Sequence, residues 1–276
     1  MVRYVRIRVK RVLSDSGLPD LDYAVNPYAG CAHACIYCYA RSYTPYRDAA
    51  ERWGEVVYVK VNAPEVLERE LRGRRRGVVG VSTITDPYQP IEAEEEVTRR
   101  CLEVLARRGF RVSIQTKSPL ITRDLDLLEA RPELFDVGLT ITTMEPEVAR
   151  IIEPRAPPPA VRARALEEVA RRGIRTWVFL GPILPGVNDS PESIRRVVEV
   201  AERTGSILYY DFLRVKPAVK GLRALGPRWR AIAARARDPS WRRRVEEIVV
   251  SECRARGVEC EPEFDAPHPT TLEEFL

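Results

Sequence analysis

The chain has 276 residues, 45% hydrophobic and 31% charged, with a formal net charge of +5. That size and balance suit one large α/β domain with a substantial core, and no apolar run reaches the roughly 18 residues of a membrane span. The opening MVRYVRIRVK alternates basic and apolar residues. It lacks the continuous apolar stretch of a secretory signal, so it reads as a strand and the chain as cytoplasmic.

In chain order, short β-like runs alternate with amphipathic helical ones. YAVN (23–26) reads as the first strand and leads into a loop with three cysteines. GVVGVSTIT (77–85) is the second, bounded by Gly77 and by Asp86-Pro87. A helix over 92–109 places Val97, Cys101, Leu102 and Leu105 on one face and stops at Gly109. Then follow FRVSIQT (strand), DLDLLEA (helix), FDVGLTITT (strand), PAVRARALEEVARRG (helix), IRTWVFLGPI (strand), SPESIRRVVEVAERTG (helix) and SILYYDFLRV (strand). This alternation requires a parallel sheet with helical crossovers. Six strands are too few for a closed eight-fold barrel, so the expectation is a partial (β/α)6 TIM-like barrel with its site at the C-terminal strand ends. Residues 1–21 form an N-terminal strand segment, 22–216 the barrel, and 217–276 an arginine-rich helical extension ending in an extended stretch and a short helix. GRRRG (73–77) and EPRAPPPA (153–160) read as loops.

Cys31, Cys35 and Cys38 fall within GCAHACIYC. In a reducing compartment, clustered cysteines bind metal more often than they pair. Three thiolates can hold three irons of a four-iron four-sulfur (4Fe-4S) cube and leave the fourth iron open. The rival is zinc with His33 as fourth ligand, in a non-catalytic nucleic-acid-binding module. His33 lies two residues from both Cys31 and Cys35, an awkward spacing for a tetrahedron. Cys101 belongs to the apolar face of its helix, and Cys253 and Cys260 are too few for a second cluster, being buried or disulfide-bonded.

The C-x3-C-x2-C spacing with Tyr37 before the last cysteine resembles the radical S-adenosylmethionine (SAM) superfamily. NPYAGCAHACIYCYAR, TDPYQPIE (85–92), QTKSPLITRDLDLL (115–128), IEPRAPPP (152–159) and LGPILPGVND (180–189) are similar to its branch related to spore photoproduct lyase. The resemblance implies a 4Fe-4S cluster whose open iron chelates SAM, reductive cleavage to a 5′-deoxyadenosyl radical, and hydrogen abstraction from a substrate. It implies a reductant such as ferredoxin or flavodoxin, and DNA or RNA as candidate partner. The lyase's extra hydrogen-donating cysteine has no counterpart in STITD (82–86).

Roles follow at the strand ends. Thr85 and Asp86 would accept hydrogen bonds from the SAM amino group. Lys117 would pair with its carboxylate. Thr140, Thr142 or Glu153 would bind the ribose. Tyr37 would stack near the adenine, with Gly181 and Ile183 giving close backbone approach. Arg214 and Lys216, after the sixth strand, are candidates for an anionic substrate.

Overall fold

The computed structural model describes residues 1–215 and 220–263. The chain begins with β1 (Arg3–Ile7), β2 (Leu13–Asp15), β3 (Tyr23–Val25), β4 (Tyr28–Ala29), α1 (Arg47–Glu51), β5 (Val56–Lys60) and α2 (Ala63–Glu70). Next come β6 (Val78–Val81), α3 (Glu92–Glu95), α4 (Val97–Arg108), β7 (Arg111–Thr116), α5 (Leu125–Ala130), β8 (Phe135–Thr140), α6 (Pro146–Ile152) and α7 (Pro159–Arg171). The remainder comprises β9 (Arg175–Ile183), α8 (Pro191–Thr204), β10 (Ile207–Phe212), α9 (Trp229–Arg235), α10 (Pro239–Arg256) and β11 (Cys260–Pro262). Lys216 and the expected terminal helix lie outside the described residues.

The main sheet runs β11-β10-β9-β8-β7-β6-β3-β2. The six expected strands, β3 and β6 through β10, are contiguous and parallel. β11 adds a parallel seventh strand, and β2 pairs antiparallel at the other edge. A second sheet, β1-β5-β4, and helix α2 have no counterpart in the sequence reading beyond the N-terminal strand. The helix expected over 92–109 is broken at Glu96, which is left-handed at φ 49°. The Glu92 carboxylate accepts the amides of Thr98 (2.9 Å) and Arg99 (3.1 Å) and so caps the restarted helix.

The strands sort their faces by period two. Val112, Ile114, Val137, Leu139, Val178, Leu180 and Leu208 are fully buried beneath the helices. Their neighbours Ser113, Gln115, Trp177, Phe179 and Tyr209 are half-buried and face the lumen of the open barrel. Helix α8 shows how the outer layer is fixed. Ser190 caps it through Oγ to the Ser193 amide (3.1 Å), and Gly205 ends it in the left-handed region. Between them Ile194, Val197, Val198 and Ala201 are fully buried; a buried valine or isoleucine is worth about 1.5–3 kcal/mol. Helix α10 packs on α8, and the Cys253–Cys260 disulfide ties it to β11. No helix among the described residues is long and apolar enough to cross a membrane.

Candidate active site

The cysteine loop leaves β4 at Gly30, whose φ of +83° and contact with β5 both require glycine: a Cβ there would lie 2.4 Å from the Val56 carbonyl oxygen. Side chains from the β6 exit then hold the loop. Gln89 accepts the Ala32 amide (2.9 Å) and donates to the Gly30 carbonyl (3.3 Å), and the Thr85 hydroxyl donates to the same carbonyl (2.6 Å). From the other side, the Ile36 amide donates to the Ile152 carbonyl (3.0 Å) and the Arg155 amide to the His33 carbonyl (3.2 Å). Ala34 in this loop and Ser82 at the β6 exit are non-glycine residues at positive φ, 57° and 66°. Such backbone costs about 1–3 kcal/mol and persists only where the surroundings hold it.

Cys31, Cys35 and Cys38 are free thiols; the first two are buried and the third is half-buried. Burial pushes all three up, Cys35 to about 12 despite the opposing charge of Lys117. Metal binding would expel those protons. Among the described residues no three His, Cys, Asp or Glu side chains gather around a point as a single ion needs. Three free thiols on one short loop are the donor set of a cube held at three separate irons, which needs no common point. His33 turns from them to Asp86, with Nδ1 3.3 Å from Oδ2.

Above the loop, the ends of β7 and β8 bring together residues far apart in sequence. Tyr37 donates its hydroxyl hydrogen bond to Glu153, and Thr142 donates to the same oxygen (2.5 Å). Arg162, fully buried on α7, places Nη2 2.6 Å from the other oxygen of Glu153. Burial alone would raise this carboxyl; Arg162 and Lys117 more than offset it and hold it at about 2. The Lys117 ammonium is 4.0 Å from Glu153 and lies 5.7 Å from the centre of the Tyr37 ring. Burial would lower its pKa, but Cys35 and Glu153 raise it, so it stays charged. No hydrogen bond to this ammonium exists among the described residues.

The other expected contacts have partners already. Asp86 accepts from the Thr116 hydroxyl (2.7 Å) and from the amides of Tyr88 and Lys117 (both 2.9 Å), besides facing His33. Burial raises its pKa, and these contacts bring it down to about 2. Thr85 is engaged with Gly30 and Gln89. Thr140 accepts from Gln115 (3.2 Å) and keeps its own hydrogen to give. The space at Gly181 is taken by the Phe179 ring, 2.3 Å from where a Cβ would stand, and Ile183 is fully buried. Arg214 is turned onto Asp211 at 3.2–3.3 Å.

Three residues of this site were not read from the sequence. Arg162 had a signal, because it falls on the apolar stripe of its helix with Leu166 and Val169. Gln89 and Asn188 had none beyond their motifs. Asn188 accepts the Leu184 amide (2.7 Å) and donates to the carbonyls of Thr142 (2.7 Å) and Pro182 (3.2 Å), pinning the β9 exit to the β8 exit.

Comparison with known proteins bears on this arrangement. The family pattern described as the radical SAM superfamily matches residues 25–198. A protein of Methanocaldococcus jannaschii named only as uncharacterised is 31% identical over 215 residues, covering 78% of this chain and 79% of its own. A similarly named protein of Mycobacterium tuberculosis is 34% identical over 215 residues, covering 75% of this chain; the chain spans 63% of that relative's length. Among solved structures, spore photoproduct lyase complexed with dinucleoside spore photoproduct superposes with a TM-score of 0.73 at 14% identity, covering 95% of this chain and 82% of the other. A radical SAM methyltransferase from Sphaerobacter thermophilus gives 0.56 at 17% identity, covering 91% and 67%. At these identities the structural likeness speaks to the fold alone.

Proposed function

The chain belongs to the radical SAM superfamily, and from that premise we propose that Cys31, Cys35 and Cys38 hold a 4Fe-4S cluster and that Lys117 binds the carboxylate of SAM. The observation that carries this reading is the Lys117 ammonium: charged, largely enclosed, beside Cys35, and without a hydrogen bond among the described residues. A buried charge in that condition wants an anionic partner. When bound, the cluster supplies the electron that cleaves SAM to methionine and the 5′-deoxyadenosyl radical.

The chain's own residues then divide the work. Asp86 is a positioning residue: it fixes the Lys117 amide and Thr116, which aims the lysine, and three of its lone pairs are already engaged. Thr85 and Gln89 hold the cysteine loop at Gly30. Glu153 and Arg162 keep Tyr37 in place, while Thr140 retains a donor for a ribose oxygen. Tyr37 supplies the apolar surface for adenine. Trp177, Phe179 and Tyr209 line the lumen beneath, where a substrate would meet little water.

For the substrate we propose a nucleotide unit of DNA or RNA, since the lyase of the same fold is seen with a dinucleoside lesion. The chemistry differs from a thiol-relay lyase, because Cys101 is fully buried in the core and Cys253 and Cys260 are joined. The test is anaerobic reconstitution of the wild type and of Cys31→Ala, Cys35→Ala and Cys38→Ala. The wild type is expected brown with about four irons per chain and a matching count of sulfide, and each variant colourless, with iron near zero and no deoxyadenosine from SAM and dithionite. A colourless wild type that fills with zinc and takes up no sulfide would overturn the reading.

A further inference from the structure

The sheet face turned into the barrel carries a feature that neither the cluster nor SAM uses. Gln115, Gly138 and Trp177 stand side by side on β7, β8 and β9. A Cβ on Gly138 would lie 2.2, 2.2 and 2.4 Å from three consecutive atoms of the six-membered ring of Trp177. A point that close to three joined ring atoms lies over the face of the ring. The indole is therefore spread flat across the glycine and turns its other face to the lumen, and only a residue without a side chain leaves room for this. Asp136 holds the ring in place: the indole N–H donates to Oδ1 (2.9 Å), and the Ser113 hydroxyl donates to the same oxygen (2.6 Å). Tyr209 stands nearly upright to the indole, at 84° with ring centroids 5.7 Å apart. Trp177, Tyr209 and Gln115 are all half-buried.

The Gln115 amide is the polar edge beside this floor. One N–H goes to Thr140 (3.2 Å), and the other N–H and the carbonyl oxygen have no partner among the described residues. A donor and an acceptor side by side match the edge of a nucleobase. Asp136 is answered by its two neutral donors and by no ion pair among the described residues. Its charge disfavours a phosphate at this depth, so a neutral ring suits the floor and phosphates suit the mouth. Lys117 follows Gln115 by two residues, about 7 Å along the strand, which sets the floor one layer under the residues that would hold SAM. An aliphatic metabolite has no flat face to lay on the indole. A phenyl or indole side chain has the face but not the paired donor and acceptor.

We propose that Trp177 is the stacking platform for a single nucleobase drawn into the barrel, and that Gln115 discriminates among bases by their hydrogen-bonding edge. This deepens the nucleotide reading above and rests on it. A base in a duplex is stacked on both faces and paired at its edge, so it reaches this floor from a single strand or after leaving its helix. Its sugar and phosphates then stay towards the mouth.

The test measures binding, so it does not depend on turnover. The probes are the deoxynucleoside 3′,5′-bisphosphates of A, C, G and T, and the deoxyribose bisphosphate that lacks a base. Each is titrated by calorimetry into reconstituted protein saturated with SAM. The wild type should bind at least one base-bearing probe about tenfold or more tighter than the baseless one, because stacking on an aromatic ring contributes about that much. Trp177→Ala should bring that probe close to the baseless affinity. Gln115→Leu should keep the gain from having a base but level the four bases to within about threefold, an effect that a merely structural role would not produce. Should Trp177→Ala fail to fold, Gln115→Leu decides by itself. Wild-type base preferences that survive in the variants would overturn the platform and leave the nucleotide reading standing. Equal binding of the baseless probe by the wild type would likewise overturn the platform, since only phosphates would then be recognised. N-acetyltryptophanamide or N-acetyltyrosinamide bound more tightly than any nucleotide, and lost in Trp177→Ala, would sink the nucleotide reading itself and this proposal with it.

Discussion

Two buried charge clusters flank the cysteine loop, and they differ in whether they are complete. On the outer side, Glu92, Arg123, Asp124 and Arg99 close on one another. Arg123 donates to Glu92 (2.9 Å) and to Asp124 (2.7 and 3.0 Å), Arg99 donates to Asp124 (3.0 Å), and the hydroxyls of Tyr28 and Tyr88 complete the carboxylates. Above the loop, Glu153 and Arg162 face each other as a close ion pair, and Lys117, 4.0 Å from Glu153, has no hydrogen bond among the described residues. A polar network with every partner present serves the architecture; one that leaves a charge unanswered has been built for something that binds.

Breaking the complete network should have the largest effect. Glu92→Ala leaves the fully buried Tyr28 hydroxyl without its acceptor and takes one of two carboxylates from Arg123, which keeps Asp124, and losing one partner of a buried pair costs about 3–5 kcal/mol. Thermal unfolding should show a fall in Tm of about ten degrees, at roughly 2–4 °C per kcal/mol for a chain of this size. A Tm within two or so degrees of the wild type would mean that the network carries little of the fold's stability.

A carboxylate with burial but no cation sharpens the point. Glu263 is raised to about 7 by burial and then by Asp211 and Asp20, whereas Glu153, beside Arg162 and Lys117, is held at about 2. The folded chain therefore keeps a proton on Glu263 that the unfolded chain releases near its ordinary 4.5. Its contribution is complete below that ordinary value and is lost as pH rises through about 7, amounting to at most about 3 kcal/mol. Urea unfolding between about pH 5 and 8 should show this loss in the wild type and a flatter profile in Glu263→Gln. Parallel profiles would show that the carboxylates near β11 do not face each other as described.

The smallest effect on stability, and the most diagnostic, belongs to Lys117→Met. Glu153 keeps Arg162, Thr142 and Tyr37, so stability should move by no more than about 1 kcal/mol and iron should be retained. SAM affinity, from titration of the reduced cluster's EPR signal, should fall about tenfold or more, as expected for a lost charged partner worth about 1.5–3 kcal/mol. Unchanged affinity would make Lys117 a bystander; lost iron would make it part of the loop's scaffold.

The sequence by itself determined the six parallel strands, because a strand–helix alternation with short connections has few other solutions. It also determined the cysteine spacing and the position of Lys117 at a strand end. These are local matters of period, length and residue type. Tertiary structure alone decided which polar groups have capacity to spare. Asp86 and Thr85 look as available in sequence as Lys117 does, yet the fold spends the first on Thr116 and two amides and the second on Gly30 and Gln89. Arg162 looks like one more helical arginine until α7 buries it against Glu153. β5 and α2 escaped the reading because VVYVK and APEVLERE sit between the cysteine loop and the next strand, where the pairing of β5 with β1 and the packing of α2 on α4 have no local signature. Hydrogen-bond capacity and long-range pairing depend on what is brought near from elsewhere in the chain, and that proximity comes only with the packed sheet.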